Sequence, residues 1–242
     1  MKRYKVFRLV TDDKIHDFSG FAFDCNVKGK GRRPSTASVT IYNIRQNFVE
    51  ALLNAKGKHF GEIIVNNTLL FRGRISEGNA EKGKVSVELG AFRESRKTEL
   101  SYTWLQNTPI QRAVEQVCAD IGESCFVNIP GNLQHALSVQ GKADNVLTRL
   151  LGASWSFGKN GLQVGEKPTA FVFSAATGLV GLPVLTKKGC EIGTLLVPGI
   201  EYGSIVNVSS QIVSGNFVVT EYEHTISANN VQWRTTMTCR AM

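Results

Sequence analysis

Apolar and polar residues alternate with a period of two through most of this chain. The clearest case is the C-terminal region, where the alternation runs through residues 205–208, 217–224 and 232–240. Side chains of a β-strand point alternately to two faces, so this pattern is typical of half-buried strands. Turn residues at Ser214-Gly215-Asn216 and Ser227-Ala228-Asn229-Asn230 separate the segments. The pattern predicts an antiparallel meander that closes a small β-barrel or sheet.

The N-terminal third shows the same alternation. It predicts six strands, at residues 4–10, 18–27, 37–44, 62–65, 69–75 and 85–90. The stretch at residues 78–83 is rich in turn residues, and residues 47–53 predict a short helix that ends near Gly57. Six strands and one helix are enough for a closed barrel with no exposed edge.

The apolar spacing becomes helical between residues 104 and 166. A helix is predicted to begin at Thr108-Pro109, with Thr as the cap and Pro at the first helical position, and to end at Gly122. A second helix is predicted over residues 144–151. A short strand at 125–129 and a hairpin at 155–164 complete a small α+β module.

These elements predict a mainly β protein with three parts. The first β-barrel domain spans residues 1–103, the α+β module spans 104–167, and the second β-barrel domain with the C-terminal meander spans 168–242. Both β regions end with a strand, a turn and a strand, at residues 71–92 and again at 217–240. This internal similarity suggests a duplication.

Composition narrows the class of protein. Among the 242 residues 42% are hydrophobic, and no run of eighteen apolar residues is present, so no membrane-spanning helix is predicted. The basic start leads into Asp12-Asp13-Lys14 rather than an apolar signal core, which predicts that the protein is made and folded in a cytoplasm. Five scattered cysteines without paired spacing predict free, mostly buried thiols.

The net charge of +8 is concentrated in the first part of the chain. Residues 1–100 carry 19 Lys and Arg against 11 Asp and Glu, whereas residues 101–242 carry 9 of each. The densest cluster consists of Lys28, Lys30, Arg32 and Arg33, which we predict to form a partner-contact loop. Such a cluster is typical of a phosphate-binding surface, of a solvated, Gly-spaced hairpin tip, or of a contact to an acidic partner protein. The loop contains no aromatic residue to stack on bases.

The sequence contains no recognisable catalytic motif. It lacks GxGxxG after a strand, GxxxxGK[ST], HExxH and GxSxG, and its four histidines are isolated from the cysteines. Glu221 and Glu223 share one strand face and His224 lies on the other, which disfavours an acid–base group. Trp233 is predicted to lie in the core rather than to form a ligand platform. We therefore predict no enzyme activity, no metal and no cofactor.

Several segments together resemble the baseplate hub proteins of contractile-tailed bacteriophages and related phage-like machines. In the last third they are Thr177-Gly178-Leu179-Val180-Gly181-Leu182-Pro183, Leu195-Leu196-Val197-Pro198-Gly199-Ile200, Tyr202-Gly203-Ser204-Ile205-Val206-Asn207-Val208-Ser209-Ser210, Gly215-Asn216-Phe217-Val218-Val219, His224 and Trp233-Arg234-Thr235. Earlier matches are Ser38-Val39-Thr40-Ile41-Tyr42-Asn43-Ile44, Leu70-Phe71-Arg72-Gly73-Arg74-Ile75 and Gly141-Lys142-Ala143-Asp144-Asn145-Val146-Leu147. The resemblance extends over nearly the whole chain.

The resemblance implies a structural virion protein with two tail-tube-like β-barrel domains. It implies a homo-oligomeric ring, a trimer, that joins the tail tube protein to the central spike protein in the baseplate of the virion tail. The tape-measure protein and the baseplate wedge are further implied partners, and DNA passes through the lumen without specific binding. The chain has no extension for a cell-wall-cleaving domain, so cleavage is not expected.

A basic nucleic-acid-binding β-barrel protein is the alternative hypothesis. It is motivated by the isoelectric point of about 9.3 and by the cluster at Lys28, Lys30, Arg32 and Arg33. It predicts retention on DNA that falls steeply with salt.

Overall fold

The computed structural model describes most of the chain. The described residues are 5–11, 14–56, 59–90, 99–123, 125, 128–152, 155–158, 161–164, 170–187, 189–228 and 233–242. They form two compact units. The β unit comprises Met1–Gly31, Ser35–Gly90 and Lys167–Met242, and the α+β unit comprises Arg32–Pro34 and Ala91–Glu166.

Strands dominate the described residues. In chain order they are β1 (Lys5–Val10), β2 (Ile15–Asp17), β3 (Phe23–Lys30), β4 (Thr36–Tyr42), β5 (Phe60–Val65), β6 (Thr68–Glu81), β7 (Lys84–Leu89), β8 (Leu100–Trp104), β9 (Leu137–Gly141), β10 (Trp155–Gly158), β11 (Gly161–Val164), β12 (Ala170–Ser174), β13 (Val184–Thr186), β14 (Gly189–Leu195), β15 (Ile205–Ser209), β16 (Ser214–Ile226) and β17 (Arg234–Ala241). The helices are α1 (Gln46–Asn54), α2 (Ile110–Asp120) and α3 (Ala143–Leu151). The predicted mainly β class with a small α+β module is confirmed.

The strands of the β unit form one continuous hydrogen-bonded sheet of thirteen strands. Its order is β13-β14-β17-β16-β3-β4-β7-β6-β5-β1-β2, and β15 also pairs with β16 and carries β12 on its other side. The two β regions of the sequence are joined by the antiparallel pairing of β3 with β16, from Cys25 opposite Ile226 to Lys30 opposite Glu221. The first and last predicted domains therefore belong to one compact unit.

Open edges remain in the part of the chain that the structure describes. The strand path ends at β2 and at β13. We expected a barrel without an exposed edge. Within the described residues β3 instead pairs with β16 of the other β region, and neither region closes on itself.

The two β regions repeat one strand order. In the first region β3, β4, β7, β6, β5 and β1 are successive neighbours, and in the second β13, β14, β17, β16, β15 and β12 follow in the same order. A register shift lies between Ile75 and Glu77 where β6 faces β7, and another lies between Val219 and Glu221 where β16 faces β17. A β-bulge inserts one residue at a specific place in a strand, so its recurrence supports the duplication.

The repeat is incomplete at its far end. Strand β1 runs antiparallel to β5, whereas β12 runs parallel to β15. The first region also contains α1, which corresponds to the helix predicted at residues 47–53 and is one residue longer at each end. Leu52 of α1 is fully buried in the core of the β unit.

Strand β6 is longer than the sequence suggested. Residues 78–83 are rich in turn formers, yet β6 continues to Glu81 and pairs with β7 as far as Lys84. Only Lys82 and Gly83 form the turn, and Gly83 has a φ of +78°, which a residue without Cβ adopts most readily. Pairing with β7 along the whole segment overrides the local preference for a turn.

One apolar core unites the β unit. Its buried side chains come from both regions, among them Phe7, Phe23 and Ile63 from the first and Ile192 and Val206 from the second. Trp233 is only 7% exposed and belongs to this core, as predicted. Because both regions bury their alternating faces in the same core, the unit gains apolar burial that neither region has alone.

The α+β unit has its own core. Strand β8 pairs with β9 and β10 pairs with β11, and buried residues of α2 and α3 pack with them, including Val117, Leu147 and Trp155. The helices and the β10–β11 hairpin agree with the prediction, whereas the β8–β9 pair was missed. The alternation of Leu100, Tyr102 and Trp104 with polar residues was the sequence pattern that could have predicted β8.

Two local predictions in the α+β unit differ from the structure. Helix α2 begins at Ile110 with Pro109 in the cap position, and Thr108 does not cap it. The predicted strand at 125–129 lies partly outside the described residues, and Cys125 forms an isolated parallel bridge with Leu162. Within the described ranges no helix is long and apolar enough to cross a membrane.

The β3–β16 pairing depends on one glycine. A Cβ added at Gly29 would lie 2.2 Å from Cε1 of Tyr222, which stands opposite it in the register and is 6% exposed. The ring therefore occupies the space of the missing side chain.

Replacing Gly29 with Ala should destabilise the protein by about 1–3 kcal/mol, because the added methyl group displaces a buried ring. Urea unfolding would measure this change. Gly20→Ala is the matched control, since a Cβ there meets nothing within 4 Å. If both variants unfold at the same urea concentration, the close approach of Tyr222 to Gly29 does not constrain the fold.

Candidate partner-contact surface

Lys28 and Lys30 lie on β3 rather than on a free loop. Their side chains meet carboxylates of the neighbouring strand β16: Lys28 Nζ is 3.1 Å from Glu223 Oε1, and Lys30 Nζ is 2.7 Å from Glu221 Oε1. The same Glu223 oxygen accepts a hydrogen bond of 2.6 Å from the Asn26 side chain. Lys28 and Lys30 are two residues apart and so are Glu221 and Glu223, so both pairs project from one face of the sheet.

These ion pairs neutralise charge more than they stabilise the fold. The four side chains are between 36% and 79% exposed. Exposed pairs contribute at most about 1 kcal/mol each. Their main consequence is that this face carries as many negative as positive charges at the point where the sequence shows only a basic cluster. In the sequence, the only signal of these ion pairs was the equal spacing of two residues between Lys28 and Lys30 and between Glu221 and Glu223.

Arg32 and Arg33 belong to the α+β unit. Arg33 Nε is 3.5 Å from Asp144 Oδ2, and the Arg32 guanidinium lies 5.9 Å from the centre of the Trp155 ring. The backbone carbonyl of Arg32 also accepts a 3.1 Å hydrogen bond from the Phe157 amide. The structure thus divides the four predicted contact residues between two units, and three of the four have a carboxylate partner.

A buried phenol lies under the lysine face. The Tyr222 hydroxyl and Ser35 Oγ are 2.7 Å apart in a hydrogen bond between two buried side chains. Burial raises the pKa of Tyr222 to about 12, because the phenolate would lose its hydration. The residue therefore stays neutral at physiological pH, and its hydrogen bond joins β16 to the segment just before β4.

His224 has a structural environment. It is 1% exposed, its Nδ1 is 2.9 Å from Thr235 Oγ1, and its Nε2 is 3.2 Å from the carbonyl oxygen of Ile200. Thr235 Oγ1 also accepts a 3.0 Å hydrogen bond from the Val197 amide. The histidine thus links β16 and β17 to the loop after β14, on the sheet face opposite Glu221 and Glu223.

The five cysteines form no disulfide and most of them are buried, as predicted. Cys25, Cys118, Cys190 and Cys239 are buried, and Cys125 is half-buried. Burial raises the pKa of each of the four buried thiols, to about 12 for Cys239, so the reactive thiolate is disfavoured. No group of three or more His, Cys, Asp and Glu side chains that could hold a metal occurs in the described part of the chain.

Solved structures show where this architecture occurs. The chain superposes on the 43 kDa tail protein of prophage MuSo2 from Shewanella oneidensis with a TM-score of 0.63 and 9% identity, covering 98% of this chain and 97% of that one. It superposes on the tail protein from Neisseria meningitidis MC58 with a TM-score of 0.66 and 10% identity, covering 100% and 97%. The chain has the fold of these phage tail proteins.

A third similar structure comes from a secretion system. The E. coli c3393 protein, a component of the type VI secretion system with structural similarity to the T4 bacteriophage tail proteins gp27 and gp5, gives a TM-score of 0.61 at 10% identity. The superposition covers 97% of this chain and 76% of that protein. At the level of sequence, no family model and no curated protein matches.

Tyr222 predicts a distinct response to alkaline pH. Its folded pKa of about 12 exceeds the usual value of 10, so its contribution to stability is complete below pH 10 and is lost as the pH rises through 12. Because Tyr222→Phe has no phenol to ionise, the wild type should lose about 2–3 kcal/mol more than the variant between pH 9 and pH 12. Urea unfolding at a series of pH values measures both. Parallel curves would show that the phenol is not buried.

Proposed function

We propose that the protein is a structural component of a phage tail, the baseplate hub that joins the tail tube to the central spike. The observation that carries the proposal is the end-to-end superposition on two phage tail proteins, in which 97% or more of each chain is covered. A fold shared over the full length of both chains argues for a shared architectural role more strongly than a local match. The resemblance to hub proteins in sequence points to the same role.

In this proposal the protein forms a homo-oligomeric ring, a trimer, at the end of the tail tube. Its partners are the tail tube protein, the central spike protein, the tape-measure protein and the baseplate wedge. The thirteen-stranded sheet with its single core supplies a stiff wall for such a ring. The protein has no catalytic role, since its buried His224, Tyr222 and thiols serve packing and hydrogen bonding.

The paired charges favour this role over binding of nucleic acid. Lys28 and Lys30 meet Glu223 and Glu221, and Arg33 meets Asp144. A surface that retains DNA releases counterions through cations that are free to meet phosphates. A neutralised face on the partner-facing surface agrees with a hub that binds proteins and does not bind DNA specifically.

Light scattering after size-exclusion chromatography tests the ring. We expect a trimer of the 26.5 kDa chain, or a complex when the tail-tube protein of the same phage is added, at low and moderate salt. A monomer that ignores the tube protein and binds DNA in a salt-dependent manner would contradict the proposal.

Charge reversal tests the predicted contact residues. Changing Lys28, Lys30, Arg32 and Arg33 to Glu should weaken docking to partner proteins and leave the fold intact, since all four side chains lie at the surface of their units or pair there at exposed sites. Circular dichroism reports the fold, and pull-down with the tube protein reports docking. The matched control reverses Lys82, Lys84, Arg45 and Lys56, which lie elsewhere on the β unit. Equal docking of both variants would exclude the cluster as a contact surface.

A further inference from the structure

Two of the buried thiols face each other across neighbouring strands. Cys190 on β14 stands directly opposite Cys239 on β17 in the antiparallel register, next to the pair Gly189–Arg240 where this pairing begins. Opposite residues of a strand pair point to the same face of the sheet. Both side chains lie in the core of the β unit, at 0% and 2% exposure, and their thiol groups are hydrogen-bonding neighbours. The fold thus brings together two cysteines that no spacing in the sequence marked as a pair.

The separation of the two strands fits a disulfide bond. Residues opposite each other in antiparallel strands have Cα atoms about 4.5–5.5 Å apart, and a disulfide joins Cα atoms about 4.4–6.8 Å apart. A bond between Cys190 and Cys239 therefore needs no change in strand order or register.

The other three cysteines are placed differently. Cys25 on β3 stands opposite Val39 and Ile226, so its strand partners carry no thiol. Cys118 and Cys125 are neighbours in the α+β unit, but one lies on α2 and the other in an isolated bridge. Strand pairing therefore aligns two thiols only at Cys190 and Cys239.

Burial makes both thiols slow to react while the strands are closed. It raises the pKa of each, to about 12 for Cys239, and the thiolate rather than the thiol is the nucleophile. The pair nevertheless lies one position from the end of the β14–β17 pairing, and the other side of β14 is covered by β13, a strand of three residues. The ends of strand pairings open at a lower free energy than their centres. Opening restores the ordinary acidity of a thiol.

We propose that Cys190 and Cys239 form a site of reversible oxidation, at which a low-molecular-weight disulfide converts the facing thiols into a disulfide bond between β14 and β17. This inference rests on the proposed function, because a virion protein is made in a reducing cytoplasm and is then released into oxidising surroundings, where disulfides persist. The chain folds with two thiols and acquires the bond after release.

The reaction is thiol–disulfide exchange with a compound such as oxidised glutathione. The Cys239 thiolate attacks one sulfur of the small disulfide, breaks its S–S bond and forms a mixed disulfide, and the small thiolate that leaves takes up the proton given up by Cys239. The Cys190 thiolate then attacks the Cys239 sulfur and releases the second small thiol in the same way. The protein loses two protons and two electrons, and the small disulfide gains both.

The bond fastens two segments that are distant in the sequence. It closes the chain from Cys190 to Cys239 into a loop that contains β15 and β16, and β16 carries the contact with β3. Closing a long loop restricts the unfolded chain and so stabilises the folded one. Oxidation is therefore expected to make the second β region harder to unfold.

The same geometry keeps the bond reversible. The Cβ atoms of opposite residues lie about 4.5–5.5 Å apart, whereas those of an unstrained disulfide lie about 3.5–4.5 Å apart. The strands must draw together as the bond forms, and a strained disulfide is more easily reduced than a relaxed one. Reduced glutathione in excess should therefore reopen it.

Peptide mapping of the purified full chain tests the pairing. The folded protein is incubated with oxidised glutathione, its remaining thiols are alkylated in denaturant, and it is digested without reduction. We expect the peptides that contain Cys190 and Cys239 to be linked to each other and Cys25 to be alkylated. Mapping is needed rather than a count of thiols, because Cys118 and Cys125 are also neighbours.

Thermal unfolding measures the effect of the bond. Oxidation should raise the melting temperature by several degrees, and Cys190→Ala should abolish the rise. Cys25→Ala is the matched control, because Cys25 is 3% exposed in the same core and its loss should leave the rise intact. All these proteins carry Cys118→Ala, so that the neighbouring pair in the α+β unit contributes nothing to the difference.

The outcomes separate this inference from the proposed function. A link between Cys190 and Cys239 that forms with oxidised glutathione and reopens with reduced glutathione supports the site. Alkylation of both residues after oxidation, or linkage mainly to other cysteines, overturns it. A link without a rise in melting temperature overturns its stabilising role. Light scattering on the same samples reports the ring independently, so a monomer that forms the link contradicts the ring and leaves the oxidation site standing.

Discussion

The antiparallel pairing of β3 with β16 is the contact on which the rest of the β unit depends. It joins strands almost two hundred positions apart in the chain, from Cys25–Ile226 to Lys30–Glu221. On the core side it requires Gly29, whose missing side chain leaves room for the Tyr222 ring. On the outer side it aligns two lysines with two glutamates. Without it the two β regions would have separate sheets and separate cores.

The buried polar groups of this protein hold its strands and loops together. The histidine that a search for catalytic residues would choose first, His224, is buried and holds a loop through Thr235 and the Ile200 carbonyl. Tyr222 bonds to Ser35, and burial keeps its pKa high. The thiols lie in the two cores, where their pKa values are also raised. Each of these groups thus has a structural environment within the fold.

Duplication gives the β unit two regions with one architecture. Two regions with the same strand order and the same bulge meet through one kind of contact inside the chain. The α+β unit, with its own core around Val117 and Leu147, takes no part in this sheet.

The sequence by itself determined the local elements and the class of fold. Alternation at residues 217–224 and 232–240 predicted β16 and β17, helical spacing predicted α2 and α3, and the repeated strand–turn–strand pattern suggested the duplication. These are short-range properties, set by the periods of strands and helices. The long β6 was mispredicted, because Gly78 and Asn79 favour a turn locally while pairing with β7 keeps them extended.

Only the tertiary structure decided which distant segments meet. Periodicity shows that a strand has two faces but not which strand lies beside it, so Lys28 and Lys30 looked like a free basic cluster. The fold places Glu223 and Glu221 next to them, and Arg33 next to Asp144, which changes a cationic loop into a neutral face. The same limit hid the open edge at β13, because only the strand order shows that no described strand lies on its outer side.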